Sequence, residues 1–129
     1  MLPQSDIDAL TARSLEHAVS TAGGITCIVI RNYPIPPGLN CRVADLLLRL
    51  SAGYPDVPPD MWWFSPAIGR PDGRLIAATQ QIESHLGRQW QRWSRHLPAG
   101  AWKSGIDSLE SYLALVKREL ESAANLRAA

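Results

Sequence analysis

The prolines constrain this chain more than any other feature. Pro34, Pro36 and Pro37 fall in "YPIPPGLN", and Pro55, Pro58 and Pro59 fall in "SAGYPDVPPD". A proline ring removes a backbone donor and pushes the preceding residue out of the helical region. Neither stretch can therefore be a helix or a central strand. Between them lies "RVADLLLRL", with Ala44, Leu46, Leu48 and Leu50 on one side and Asp45 and Arg49 on the other. That alternation is a strand pattern. Before the first loop, "ITCIVIRNY" is β-branched and apolar on both faces, as a covered strand requires. After the second, "MWWFS" reads as a third short strand, and "GRPDGRLIAA" as a turn leading into a fourth.

Helices are expected at both ends. In "SDIDALTARSLEHAVSTAGG", Ile7, Leu10, Leu15 and Ala18 share a face, Ser5 with Asp8 resembles a capping box, and Gly23-Gly24 is a stop. "SGIDSLESYLALVKRELESA" carries a stripe of Ile106, Leu109, Leu113, Val116 and Leu120, with Ser104 and Asp107 as a second capping-box pair. Helices are thus predicted near 5–20 and 104–121, the tail "NLRAA" is expected to fray, and "TQQIESHLGRQ" fits a short helix or a loop. The order predicts a single α+β domain, core about 5–121, in which an antiparallel meander of about four strands is flanked by helices.

The 129 residues suit one domain, and a net charge of +1 gives no global attraction to nucleic acid or an anionic membrane. Cys27 and Cys41 have neither metal-ligand nor CxxC spacing, and no run approaches the roughly 18–20 apolar residues that span a bilayer. With no secretory leader recognisable in "MLPQSDIDAL", a cytoplasmic setting is expected, without a metal or cofactor.

Against this ordinary background, "GRQWQRWSRHLPAGAW" at 87–102 is unusual. It holds Trp90, Trp93 and Trp102 with Arg88, Arg92 and Arg95, and no acid. It can be a cationic, aromatic binding surface or the rim of an active site. In the second case Ser94 needs an adjacent base, and His96 lies two positions on, on the same face if the chain is extended. Arg95 would favour neutral His96 by repulsion and could bind a carboxylate or an oxyanion. Arg88, Trp90, Arg92 and Trp93 are then partner-facing. Stacking of single-stranded nucleic acid is a rival, opposed by the low net charge and the lack of an RNA-binding motif. A simple serine hydrolase lacks a G-x-S-x-G elbow.

Taken in order, "GYPDVPP", the "MWWF" strand, and a tryptophan leading into an amphipathic helix resemble the ubiquitin-conjugating enzyme superfamily. Tyr54, Pro55, Pro58 and Pro59 match its Tyr-Pro-x-x-Pro-Pro flap, and Trp102 matches the tryptophan that opens the helix. In that family the catalytic cysteine precedes this tryptophan in a C-x7-W pattern; counting back from Trp102 reaches Ser94. More specifically, "WQRWSRH" resembles the bacterial branch found in ubiquitin-like conjugation operons, prokaryotic family E. The resemblance spans roughly 5–120. It implies a carrier that takes the C terminus of a ubiquitin-like modifier from an activating-enzyme-like partner, with a JAB-type peptidase in the same pathway. With serine at this position, the adduct would be an oxyester. The family's His-Pro-Asn triplet is absent, and the flap-to-nucleophile interval is longer than usual. An inactive relative that only docks a ubiquitin-like protein or an activating enzyme is the alternative.

Overall fold

The computed structural model describes residues 2–125. Its elements are α1 (Gln4–Ala12), β1 (His17–Ala22), β2 (Ile25–Pro34), β3 (Val43–Leu50), β4 (Trp62–Ser65), β5 (Ile82–His85), β6 (Arg88–Trp93) and α2 (Leu109–Ala124). The strands form one antiparallel sheet in the order β1-β2-β3-β4-β6-β5. The α+β class and the helix-flanked antiparallel sheet are as expected, but the strands number six rather than four.

Both additional regions of sheet were hidden by local pattern. Residues 17–22, expected in the first helix, form β1, whose Val19 and Thr21 are β-branched and pair with Ile28 and Thr26. Gly23 and Gly24, at φ +60° and +78°, are the turn of the β1–β2 hairpin rather than a helix stop. At the other end, residues 82–93, expected in part as a short helix or loop, form the β5–β6 hairpin, whereas 69–78, expected to hold the fourth strand, contain none. In this hairpin Leu86 and Gly87 both have positive φ, +54° and +77°.

The two helix starts also differ from expectation. Pro3 is the cap position of α1 and no side chain caps it, so the Ser5–Asp8 capping box does not form. The second helix begins at Leu109: Ser108 accepts from the Glu110 N–H, and Ser111 closes the box on the Ser108 N–H. Asp107 instead accepts from the Lys103 N–H, and Ile106 lies outside the helix, 80% exposed. The expected fraying of 125–129 falls, after Asn125, outside the described residues.

One sheet face carries the main core. Ile28, Ile30, Leu46, Leu48, Leu50, Trp62, Phe64 and Trp93 meet Leu10 of α1 and Leu109, Tyr112, Leu113, Val116 and Leu120 of α2. Each such side chain contributes about 1.5–3 kcal/mol by leaving water. The opposite face holds a smaller cluster of Leu47, Trp63 and Trp90, edged by Cys27, Val29 and Met61.

Candidate functional site

Strand β6 is anchored from both faces. Trp93 is fully buried, stacked on Trp62 at 6.4 Å and edge-on to Phe64 at 5.5 Å, with Nε1 donating to Gln91 Oε1 at 2.9 Å. Trp90, 1% exposed, belongs to the second cluster, and its Nε1 donates to the His85 carbonyl. These two tryptophans were expected to face a partner; their burial makes them pillars of the strand instead.

The arginines of the stretch are matched by acids from elsewhere in the chain. Arg88 pairs with Asp45 and Arg92 with Glu83, both at 2.9 Å, and Arg95 pairs with Glu119 at 2.7 Å. Arg88 also lies over Trp90, and Arg95 over Trp93. The acid-free run of sequence is therefore not an uncompensated cationic surface in three dimensions.

Ser94 follows immediately after β6. Its N–H donates to the Ala78 carbonyl at 3.0 Å, the Arg95 N–H turns back to the Trp93 carbonyl, and the Arg95 carbonyl accepts from the Met61 N–H. The segment is thus stitched to the 66–81 connection on one side and to the entry of β4 on the other. The half-buried Ser94 hydroxyl accepts from Arg92 Nε at 3.1 Å. Behind Arg92, the Glu83 carboxylate also accepts from Trp63 Nε1 at 2.8 Å and faces His85 Nε2 at 3.0 Å. The His85 hydrogen bond, with smaller contributions from Trp63 and Arg92 and against some burial, holds Glu83 below the usual carboxylate range. A guanidinium fixed in this way aims a positive donor at the Ser94 oxygen.

His96 is exposed, and its Nδ1 lies 2.7 Å from Asp60 Oδ1. With Nδ1 donating to Asp60, Nε2 is left as the basic nitrogen, the role a carboxylate plays for the histidine of a catalytic triad. Ser94 and His96 are not hydrogen-bonded to each other. Arg95, offered above for an oxyanion, is committed through Nε to Glu119 and through Nη1 to the Ala77 carbonyl at 2.8 Å.

The proline flap is fastened to the segment that leads from this site into α2. Trp102 is half-buried; its Nε1 donates to the Pro55 carbonyl at 2.8 Å and its ring lies 6.3 Å from Tyr54. Ser104 donates to Asp56. Pro59 is buried, and the Tyr112 hydroxyl donates to the Met61 carbonyl at 2.9 Å. Flap, candidate site and helix α2 are one connected unit. Sequence reasoning missed Asp60 and Glu83. Asp60 directly follows the flap prolines, and its position there was the only local signal.

Among the described residues no three His, Cys, Asp or Glu side chains converge as metal ligands, and no helix is long and apolar enough to cross a membrane. The flap, the single helix-covered sheet and the tryptophan-led helix define a domain of the ubiquitin-conjugating-enzyme type. The chain belongs to prokaryotic E2 family E, whose model matches residues 2–123. No curated protein and no solved structure matches it. Membership associates it with a conjugation-related carrier role of the transferase type.

Proposed function

We infer that this domain carries a ubiquitin-like modifier as an oxyester on Ser94, receiving it from an activating-enzyme-like partner and passing it to a target in the cytoplasm. A JAB-type peptidase would act in the same pathway. The observation that carries the reading is the setting of Ser94: its oxygen accepts from Arg92 Nε at 3.1 Å, and His96, two residues on, is oriented by Asp60. In the proposed step the Ser94 oxygen attacks the activated carbonyl of the modifier C terminus. The hydroxyl proton passes to a base, His96 Nε2 once the modifier brings the loop together, and the activating enzyme's group departs. Arg92 is the donor nearest the developing charge. Arg88 and Arg92 form the polar rim for the partner.

A docking protein without catalysis is the second reading. It is favoured by the missing Ser94–His96 hydrogen bond and by the commitment of Arg95 to Glu119. Incubation with an activating enzyme, ATP and the modifier separates the two. The carrier gives a covalent adduct that survives thiol reductant, is cleaved by mild base and disappears in Ser94→Ala. Ser94→Cys converts it to a reductant-sensitive thioester. Modifier binding with no adduct would leave the docking protein. An adduct persisting in Ser94→Ala would place the chemistry on another residue.

A further inference from the structure

Away from Ser94, a cleft of about 370 Å³ opens between the end of α1, the end of β2 and the C-terminal half of α2. Its apolar walls are Leu15, Ile35 and Leu120, and its polar groups are Arg13, Lys117, Glu121 and the Tyr33 hydroxyl. Tyr33 is 8% exposed, and its hydroxyl makes no hydrogen bond among the described residues. The phenol oxygen itself is not closed off from solvent, so it is a donor offered to the cleft, where a bound acceptor would replace water. Burial pushes the Tyr33 phenol above its ordinary range, with Arg13 and Glu121 close enough to act on it in opposite directions. The hydroxyl therefore stays a donor at neutral pH.

We propose that this cleft binds a small amphipathic carboxylate, its head taken by the Tyr33 hydroxyl, Lys117 and Arg13 and its tail laid on Leu15, Ile35 and Leu120. Charge decides the sign of the head group. Two cations and a neutral donor line the cleft against one carboxylate, Glu121, and the Arg13 pair with Glu110 is long at 3.5 Å and exposed on both sides. Lys117 is exposed and forms no ion pair among the described residues. Volume decides the size. At roughly 30 Å³ per water-sized group the cleft holds about a dozen non-hydrogen atoms, a medium-chain or aryl acid rather than a folded partner. The apolar floor supplies affinity and the three donors supply discrimination, the usual division of labour in a small-molecule site.

Octanoate, with octylamine and octanol as controls, tests this on the full chain by amide NMR titration. Octanoate should shift the resonances of Leu15, Ile35 and Leu120 saturably, and octylamine should not. Lys117→Glu, at an exposed position, should weaken octanoate binding about tenfold. Tyr33→Phe should weaken it about fivefold, one hydrogen bond's worth, while leaving the rest of the spectrum in place. If octylamine or octanol shifted the same residues as strongly as octanoate, or if Lys117→Glu left octanoate binding unchanged, the carboxylate site would be refuted. Absence of any shift at millimolar octanoate would refute it as well.

Discussion

Tyr54 reaches across 48 positions of chain to donate from its hydroxyl to Asp6 Oδ2 at 2.6 Å, while the other oxygen of Asp6 accepts from the Leu109 N–H at 3.1 Å. One carboxylate, 2% exposed, thus ties the flap to α1 and caps the start of α2 from outside that helix. An acid at a helix N-terminus also satisfies the helix dipole. Burial, reinforced by the Asp6 hydrogen bond, drives the Tyr54 phenol far above its ordinary range, so the donor is retained at any working pH.

Replacing Asp6 by Ala should therefore cost more than an ordinary surface change. Two buried donors lose their acceptor, and the expected loss is about 3 kcal/mol in denaturant unfolding. Tyr54→Phe should cost about half as much. The two changes together should cost less than their sum, because they share one hydrogen bond.

Leu86 offers the opposite outcome. It is 53% exposed and sits at φ +54° in the β5–β6 turn, a left-handed conformation that strains Leu but that Asn tolerates through local hydrogen bonding. Leu86→Asn should stabilise the domain by about 1 kcal/mol, read as a rise in thermal midpoint with no loss of partner binding. A fall in the midpoint would mean that Leu86 contributes packing its exposure does not reveal.

Acid should loosen the region behind Ser94 through Glu83. Its carboxyl is held below the ordinary value, so the folded state binds that proton less readily than the unfolded chain does. The resulting stability is fully present above the unfolded value of about 4.3 and is lost as pH falls through the lower folded value. Glu83→Gln should flatten that acid limb of the stability profile. An unchanged limb would show that the His85–Glu83–Arg92 contacts do not couple to folding.

The two cysteines should be dispensable for charging. Cys27 and Cys41 are half-buried, Cys27 on β2 and Cys41 before β3, and burial raises the Cys41 thiol away from thiolate formation. Cys27→Ala with Cys41→Ala should form the same base-labile adduct in the activation assay. A folded double variant that failed to charge would restore a thiol mechanism.

What could be read from the sequence follows from which faces are buried. In "RVADLLLRL" one face is core and the alternation was legible. In "HAVSTA" all but His17 is exposed, so burial imposed no pattern and Leu15 with Ala18 imitated a helix face. In "RQWQRW" the two tryptophans serve opposite faces, and the buried Gln91 takes a core position where an apolar residue would have revealed the period. The Ser94–His96 spacing and the flap were visible as local motifs. Asp60, Glu83 and Glu119 were not, because each reaches this segment only through the tertiary fold. For the same reason a run of three arginines in sequence did not become a free positive surface.

Gln91 has one more consequence. Its Oε1 accepts from the Ile68 N–H and from Trp93, and its Nε2 donates to the Ile68 carbonyl, so both backbone groups of Ile68 are held by one side chain. A slip of β6 by a single residue would break all of these bonds at once and exchange the two faces of the strand. The position of Ser94 is therefore quantised: the hydroxyl stands at its site or the hairpin is misassembled, with no graded series between. The exposed turn at 71–74 can change in length without moving the reactive position, while adding or deleting one residue between Gln91 and Ser94 displaces it from the Ala78 carbonyl and from Arg92.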